Sequence, residues 1–158
     1  MAVGAVDAIL QELRHAATLY HRLVLLVAPP GGGKTRALTE LARRTGARLV
    51  TVNLELSRLL IELPDRQRPH RLPQLLVQLI AEGGGDTVLL DHLELLFHPS
   101  LEQDPLRLLQ QLSRSRTLAA AWPGRHEAGC LVYAEPGHPE HHRYDAQETS
   151  VIELPPTL

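Results

Sequence analysis

Val6, Ile9, Leu10, Leu13, Ala17 and Tyr20 recur at the three- and four-residue spacing of a helix, which predicts an amphipathic first helix ending near position 21. Beyond it the pattern changes to short apolar runs at 22–28, 48–53, 87–91, 117–122 and 131–134, each too short for a helix and read as strands. Helical patterns at 34–44, roughly 55–63, 73–81 and 105–113 separate most of them, with Pro73 and Pro105 placed to start the last two. Strands alternating with helices predict a parallel sheet of about five strands covered on both faces, a three-layer α/β sandwich. The stretches 64–71 and 135–146 read as loops. One domain is expected over 1–158: an N-terminal helix (1–21), a core (22–145) and a C-terminal tail (146–158).

Composition narrows the class. With 44% hydrophobic and 22% charged residues in 158, the chain has the means to bury a core. Sixteen Lys and Arg against 18 Asp and Glu leave a net charge of −2, so nothing global draws it to nucleic acid or to a membrane surface. The single Cys130 has no partner for an internal disulfide. No apolar stretch approaches the roughly 18 residues that a spanning helix needs. A cytoplasmic protein without a membrane partner is expected.

The candidate chemistry starts at VAPPGGGKT (27–35), between the first predicted strand and the next helix. Glycines let a backbone curl around a phosphate, whose charge meets unpaired N–H groups and the positive end of the helix dipole. Pro29 and Pro30 shape the loop, while Gly31, Gly32, Gly33, Lys34, Thr35 and Arg36 supply donors. Lys34 is placed to reach β- and γ-phosphates and the Thr35 hydroxyl to ligate Mg²⁺. This is the P-loop pattern of nucleotide-binding proteins with Ala28 where its first glycine normally stands. ATP and Mg²⁺ are the expected ligands.

A magnesium ion bound at such a loop also requires an acidic group, and Asp91 ends the apolar run VLLD at the edge where α/β sheets bind ligands. Asp91 is the candidate second metal ligand; as a plain helix cap it would have no such role. ATPases with an extra strand between the P-loop strand and this one usually place a glutamate directly after the aspartate to activate water. Here the neighbour is His92, and Glu94 follows three residues after Asp91. Lys34, Asp91 and Glu94 are the expected catalytic set, with His92 the rival base; Asn53, ending the second strand, reads more simply as a satisfied loop residue than as a polar contact for the carboxylate. Near the fourth strand, AAWP (120–123) offers no polar sensor side chain.

Arg114, Arg116 and Arg125 are candidates for an arginine finger reaching the γ-phosphate of a neighbouring subunit, so a homo-oligomer is expected. Arg66, Arg68 and Arg71 concentrate charge on one predicted loop, either as solvated surface or as a contact for DNA phosphates or an acidic partner. Cys130, His138, His141 and His142 match no familiar zinc spacing, and the segment 136–139 is better read as a turn with polar side chains.

The stretches APPGGGKT (28–35), VNLELS (52–57), LLDHLELLF (89–97), QDPLR (103–107) and AEPGHPE (134–140) together resemble the BrxF family, the small P-loop proteins of type 3 BREX phage-defence systems. The resemblance spans about 22–145 and rests on the segments other than the P-loop. It implies a bacterial AAA-like ATPase core, an ATPase or ATP-dependent switch, while the 158 residues themselves are expected to hold no helical lid domain. Its expected partners are other BREX proteins, with DNA left open, direct or through them. The alternative is a nucleotide-binding interaction module that hardly turns its ligand over; a small-molecule kinase is weaker, for want of an arginine-rich lid.

Overall fold

A computed structural model describes residues 2–29, 32–133, 142–146 and 149–155 of the chain. Eight strands and five α-helices follow in the order α1 (Ala2–Ala16), β1 (Leu23–Val27), α2 (Lys34–Thr45), β2 (Arg48–Thr51), α3 (Val52–Leu60), α4 (Arg68–Ala81), β3 (Thr87–Asp91), α5 (Pro105–Leu112), β4 (Thr117–Ala121), β5 (Arg125–Glu127), β6 (Cys130–Tyr133), β7 (His142–Asp145) and β8 (Ser150–Glu153). Short 3₁₀ helices occupy Asp65–Gln67, Glu94–Phe97 and Pro99–Leu101. Among the described residues, no helix is long and apolar enough to cross a membrane.

A five-stranded sheet in the order β2-β3-β4-β1-β8 forms the centre, all of its neighbours parallel. Its three inner strands, β3, β4 and β1, are apolar on both faces because both are covered. Along β1, Leu23, Leu25 and Val27 point into one core with α3, α4 and α5, while Val24 and Leu26 point into the other with α1 and α2. β3 and β4 divide in the same way, Val88, Leu90, Leu118 and Ala120 facing the first core and Leu89, Ala119 and Ala121 the second. Each fully buried Leu or Val contributes about 1.5–3 kcal/mol relative to exposure. The outcome is α/β, with helices on both sides of the sheet as expected.

Several local expectations are corrected. The run at 131–134 does not supply the fifth parallel strand; 130–133 pairs antiparallel with β5 and β7 in a separate three-stranded sheet. The fifth strand is β8, inside the segment expected to be a tail, and it lies beside β1 with Leu25 opposite Val151. The first helix ends at Ala16 rather than near 21, and α3 begins at Val52, so Asn53 lies in its first turn rather than at a strand end. The presumed loop at 64–71 holds a 3₁₀ turn and the start of α4. Pro73 therefore sits inside a helix, where it has no N–H to give the Pro69 carbonyl four residues back. Gln103 Nε2 donates to that carbonyl at 2.9 Å, which explains how the helix tolerates the proline.

Candidate functional site

Because all five central strands run the same way, whatever follows their last residues collects along one edge. That edge carries the glycine-rich loop after β1, the first turn of α3 after β2, residues 91–97 after β3, and Trp122 after β4. β4 lies between β1 and β3, so the loop and Asp91 are separated by one inserted strand.

Steric demands shape the loop. Gly33 precedes α2 with φ 88°, a left-handed conformation that glycine takes without strain. At Gly32 an added Cβ would lie 2.5 Å from Ala28 Cβ and 2.5 Å from the Pro29 carbonyl oxygen. Ala28 thus occupies the space a side chain at position 32 would need. Pro30 and Gly31, two of the expected loop contacts, lie outside the described residues. Thr35 and Arg36, in the first turn of α2, are exposed.

Lys34 is half-buried and its Nζ donates to the Trp122 carbonyl oxygen at 2.6 Å. Burial lowers its pKa from the usual 10.5, while the carboxylates of Glu94 and then Asp91 act to raise it. Lys34 therefore shares one electrostatic neighbourhood with both candidate carboxylates. Asp91 is one of three buried polar or charged residues among those described, 5% exposed at the end of β3. Its Oδ1 accepts from the His92 backbone N–H at 2.9 Å, and His92 Nε2 lies 3.6 Å from Oδ2.

His92 has φ 56°, which is rare for a residue with a side chain. The chain turns there and enters the 3₁₀ helix at Glu94. Asn53 holds that entry from both sides: its Nδ2 donates to Glu94 Oε1 at 3.1 Å and its Oδ1 accepts from the Leu95 N–H at 2.8 Å. The Asn53 N–H donates to the His92 carbonyl at 2.9 Å, tying α3 to the same turn. The pair Asn53–Glu94 is 41 residues apart in sequence, and only the adjacency of β2 and β3 brings it together.

The candidate arginines divide. Arg114 and Arg116 precede β4 and sit at the opposite edge of the sheet from Lys34, Arg114 over the Tyr20 ring at 4.6 Å and Arg116 donating to the Gly85 carbonyl. Arg125 follows β4 on the loop's side and pairs with Glu127 at 2.7 Å. In the basic stretch, Arg68 is structural: it donates to the Leu60 and Leu63 carbonyls at 2.9 and 3.1 Å and pairs with Asp65. Arg66 and Arg71 are exposed. Cys130 and His142 lie on adjacent strands but at opposite ends of their shared register, and His138 and His141 lie outside the described residues.

Sequence inspection did not single out the Trp122 carbonyl as a partner of Lys34. A backbone acceptor carries no residue signature, and the apolar side chains at 120–122 gave no sign of it. No protein-family model matches the chain, and a search of curated proteins finds no match.

Proposed function

We propose that the chain is a P-loop protein that binds ATP with Mg²⁺ and acts as an ATPase or ATP-dependent switch. The observation that carries this is the convergence of Lys34, buried Asp91 and the Asn53-held Glu94 on one sheet edge, beside a loop that demands glycine at 32 and 33. The residues suit the ligands. The amide end of α2 and Lys34 meet phosphates, and Thr35 with Asp91 supplies hard oxygen ligands for Mg²⁺. When bound, Mg²⁺ neutralises charge on the phosphate oxygens.

Glu94 fits the role of base better than His92. His92 faces Asp91, whereas Glu94 is oriented by Asn53 and acts electrostatically on Lys34. In this scheme Glu94 takes the proton of the attacking water, Lys34 stabilises the phosphoryl oxygens, and Asn53 sets the carboxylate's orientation. The resemblance to BrxF supports placing this activity in a type 3 BREX phage-defence system, with other BREX proteins as partners and DNA reached directly or through them.

Self-association belongs to the same proposal. Arg114 and Arg116 lie too far round the sheet to serve their own loop, so only a head-to-tail neighbour brings them to a phosphate. Their present contacts, the Tyr20 ring and the Gly85 carbonyl, are exchangeable ones.

A second reading, nucleotide binding with little turnover, is favoured by the apolar Ala120, Ala121 and Trp122 side chains beside the loop. Calorimetry with Mg-ATP and a phosphate-release assay, alone and with partner proteins or DNA, test both. Turnover that Glu94→Gln lowers by about 10²–10⁴-fold while ATP still binds supports the ATPase. Binding without turnover in every mixture selects the second reading, and no binding removes both.

A further inference from the structure

The chain has few aromatic residues, one Phe, one Trp and three Tyr, and four of these five form a single cluster. Trp122 is fully buried, with Phe97 edge-on at 5.0 Å and Tyr144 edge-on at 5.4 Å. Phe97 in turn stacks on Tyr133 at 4.0 Å and 18°. These rings come from three places: Phe97 ends the 3₁₀ helix that begins at Glu94, Trp122 follows β4, and Tyr133 and Tyr144 belong to β6 and β7 of the small sheet.

Trp122 joins both halves of the molecule. Its N–H donates to the Leu26 carbonyl at 2.9 Å, its carbonyl accepts from Lys34 Nζ at 2.6 Å, and its indole Nε1 donates to the Val132 carbonyl at 3.3 Å. The last contact requires Gly124, where an added Cβ would stand 1.8 Å from the Val132 oxygen and 2.9 Å from Nε1. Tyr144 is half-buried, and that burial, followed by the charge of Asp104 and by Tyr133, pushes its hydroxyl pKa up to about 12.

We propose that this aromatic cluster couples phosphate capture at Lys34 to the three-stranded sheet β5-β6-β7, making that sheet the element that reports the state of the glycine-rich loop. The proposal rests on Lys34 being a phosphate ligand. A phosphate oxygen attracts an ammonium more strongly than a neutral carbonyl does, so binding draws Nζ away from the Trp122 oxygen. A close-packed interior does not absorb such a change locally, and the displaced indole moves the Val132 carbonyl and the rings around it. Through Phe97 the same shift reaches the helix that carries Glu94. The sheet is inserted between β4 and β8, on the side of the loop, where a change in it is presented outward.

The test uses the whole chain with Mg-ATP and, separately, Mg-ADP. Calorimetry measures binding; Trp122, the only tryptophan, reports by its emission, and hydrogen exchange follows 125–133 and 142–145. Expected are a saturable emission shift with the calorimetric midpoint and a several-fold change of exchange in these strands. Binding heat with emission and exchange unaltered overturns the coupling and leaves nucleotide binding standing; no binding heat overturns both. Tyr133→Leu, at a half-buried position, should bind ATP as wild type but lose the exchange response of β6 and β7, and Tyr133→Phe should keep it. Phe97→Leu gives a second break in the chain of rings. If the exchange response survives in full in both leucine variants, the cluster is not the route.

Discussion

The two edges of the central sheet use charge in opposite ways. Where the strands begin, Arg22 is closed off by partners. Arg22 Nη2 meets both Asp86 carboxylate oxygens at 2.9 Å, its Nε donates to Thr117 Oγ1 at 3.1 Å, and the Thr117 N–H reaches the Asp86 carbonyl. Where the strands end, Lys34 bonds to a neutral carbonyl with Glu94 and Asp91 acting on it from nearby, Asp91 is buried, and the backbone takes left-handed turns at Gly33 and His92. The Arg22 cluster is complete within the chain, whereas Lys34 keeps a neutral partner that an anion would outcompete. Geometry explains the division: strand C-termini lead into helix N-termini, whose unpaired N–H groups favour anions.

The sharpest way to break this comparison is to remove one cation from each edge. Lys34→Ala should lower ATP affinity by about 10–100-fold, the loss of a charge-assisted hydrogen bond worth about 1.5–3 kcal/mol. Arg22→Ala should leave affinity unchanged and lower unfolding stability by about 1–2 kcal/mol, because its Asp86 partner is largely exposed and only the Thr117 contact is sheltered. Equal ATP affinity in Lys34→Ala and wild type would remove the distinction between the edges.

Asp91→Ala should keep ATP binding measurable while weakening its dependence on Mg²⁺, since the phosphate cradle survives and one metal ligand is lost. Titrating Mg²⁺ at fixed ATP reads this directly; an unchanged dependence would make Asp91 only an anchor for the His92 N–H.

A pH series sharpens the role of Lys34. Its ammonium is held below the ordinary 10.5 by burial, so it sheds its proton earlier than a free lysine as pH rises. Phosphate binding needs the charged form, and ATP affinity should therefore decline with rising pH before 10.5 is reached. Lys34→Arg, permanently charged, should flatten that decline.

The smallest effect is expected at His92. A left-handed φ costs a residue with a side chain about 1–2 kcal/mol. His92→Gly removes that cost but loosens the unfolded chain, leaving stability within about 1 kcal/mol of wild type. His92→Val, β-branched at the same φ, should be clearly less stable in thermal unfolding.

Legibility from sequence followed the range of the interactions. The strands in the apolar runs 22–28, 87–91 and 117–122 were recognisable because burial on both faces leaves a local signature, and that in 48–53 by its β-branched residues. The loop was recognisable because its glycines answer local steric demands, as the crowding at Gly32 shows. Asp91 stood out as a carboxylate ending an apolar run. β8 was missed: an edge strand with SVIE has little apolar length, and the run CLVY at 130–133 offered a stronger pattern that tertiary pairing assigned to another sheet.

The sequence by itself determined the α/β class, the buried strand segments and the placing of Lys34 at a helix start, because each depends on residues within a few positions of one another. Tertiary structure alone decided that β4 separates the loop from Asp91, that Asn53 grips Glu94 across 41 residues, and that the Trp122 carbonyl holds Lys34 across 88. Those contacts depend on strand order and on backbone atoms. Strand order is chosen by the packing of the whole core, and a backbone carbonyl is the same group at every residue.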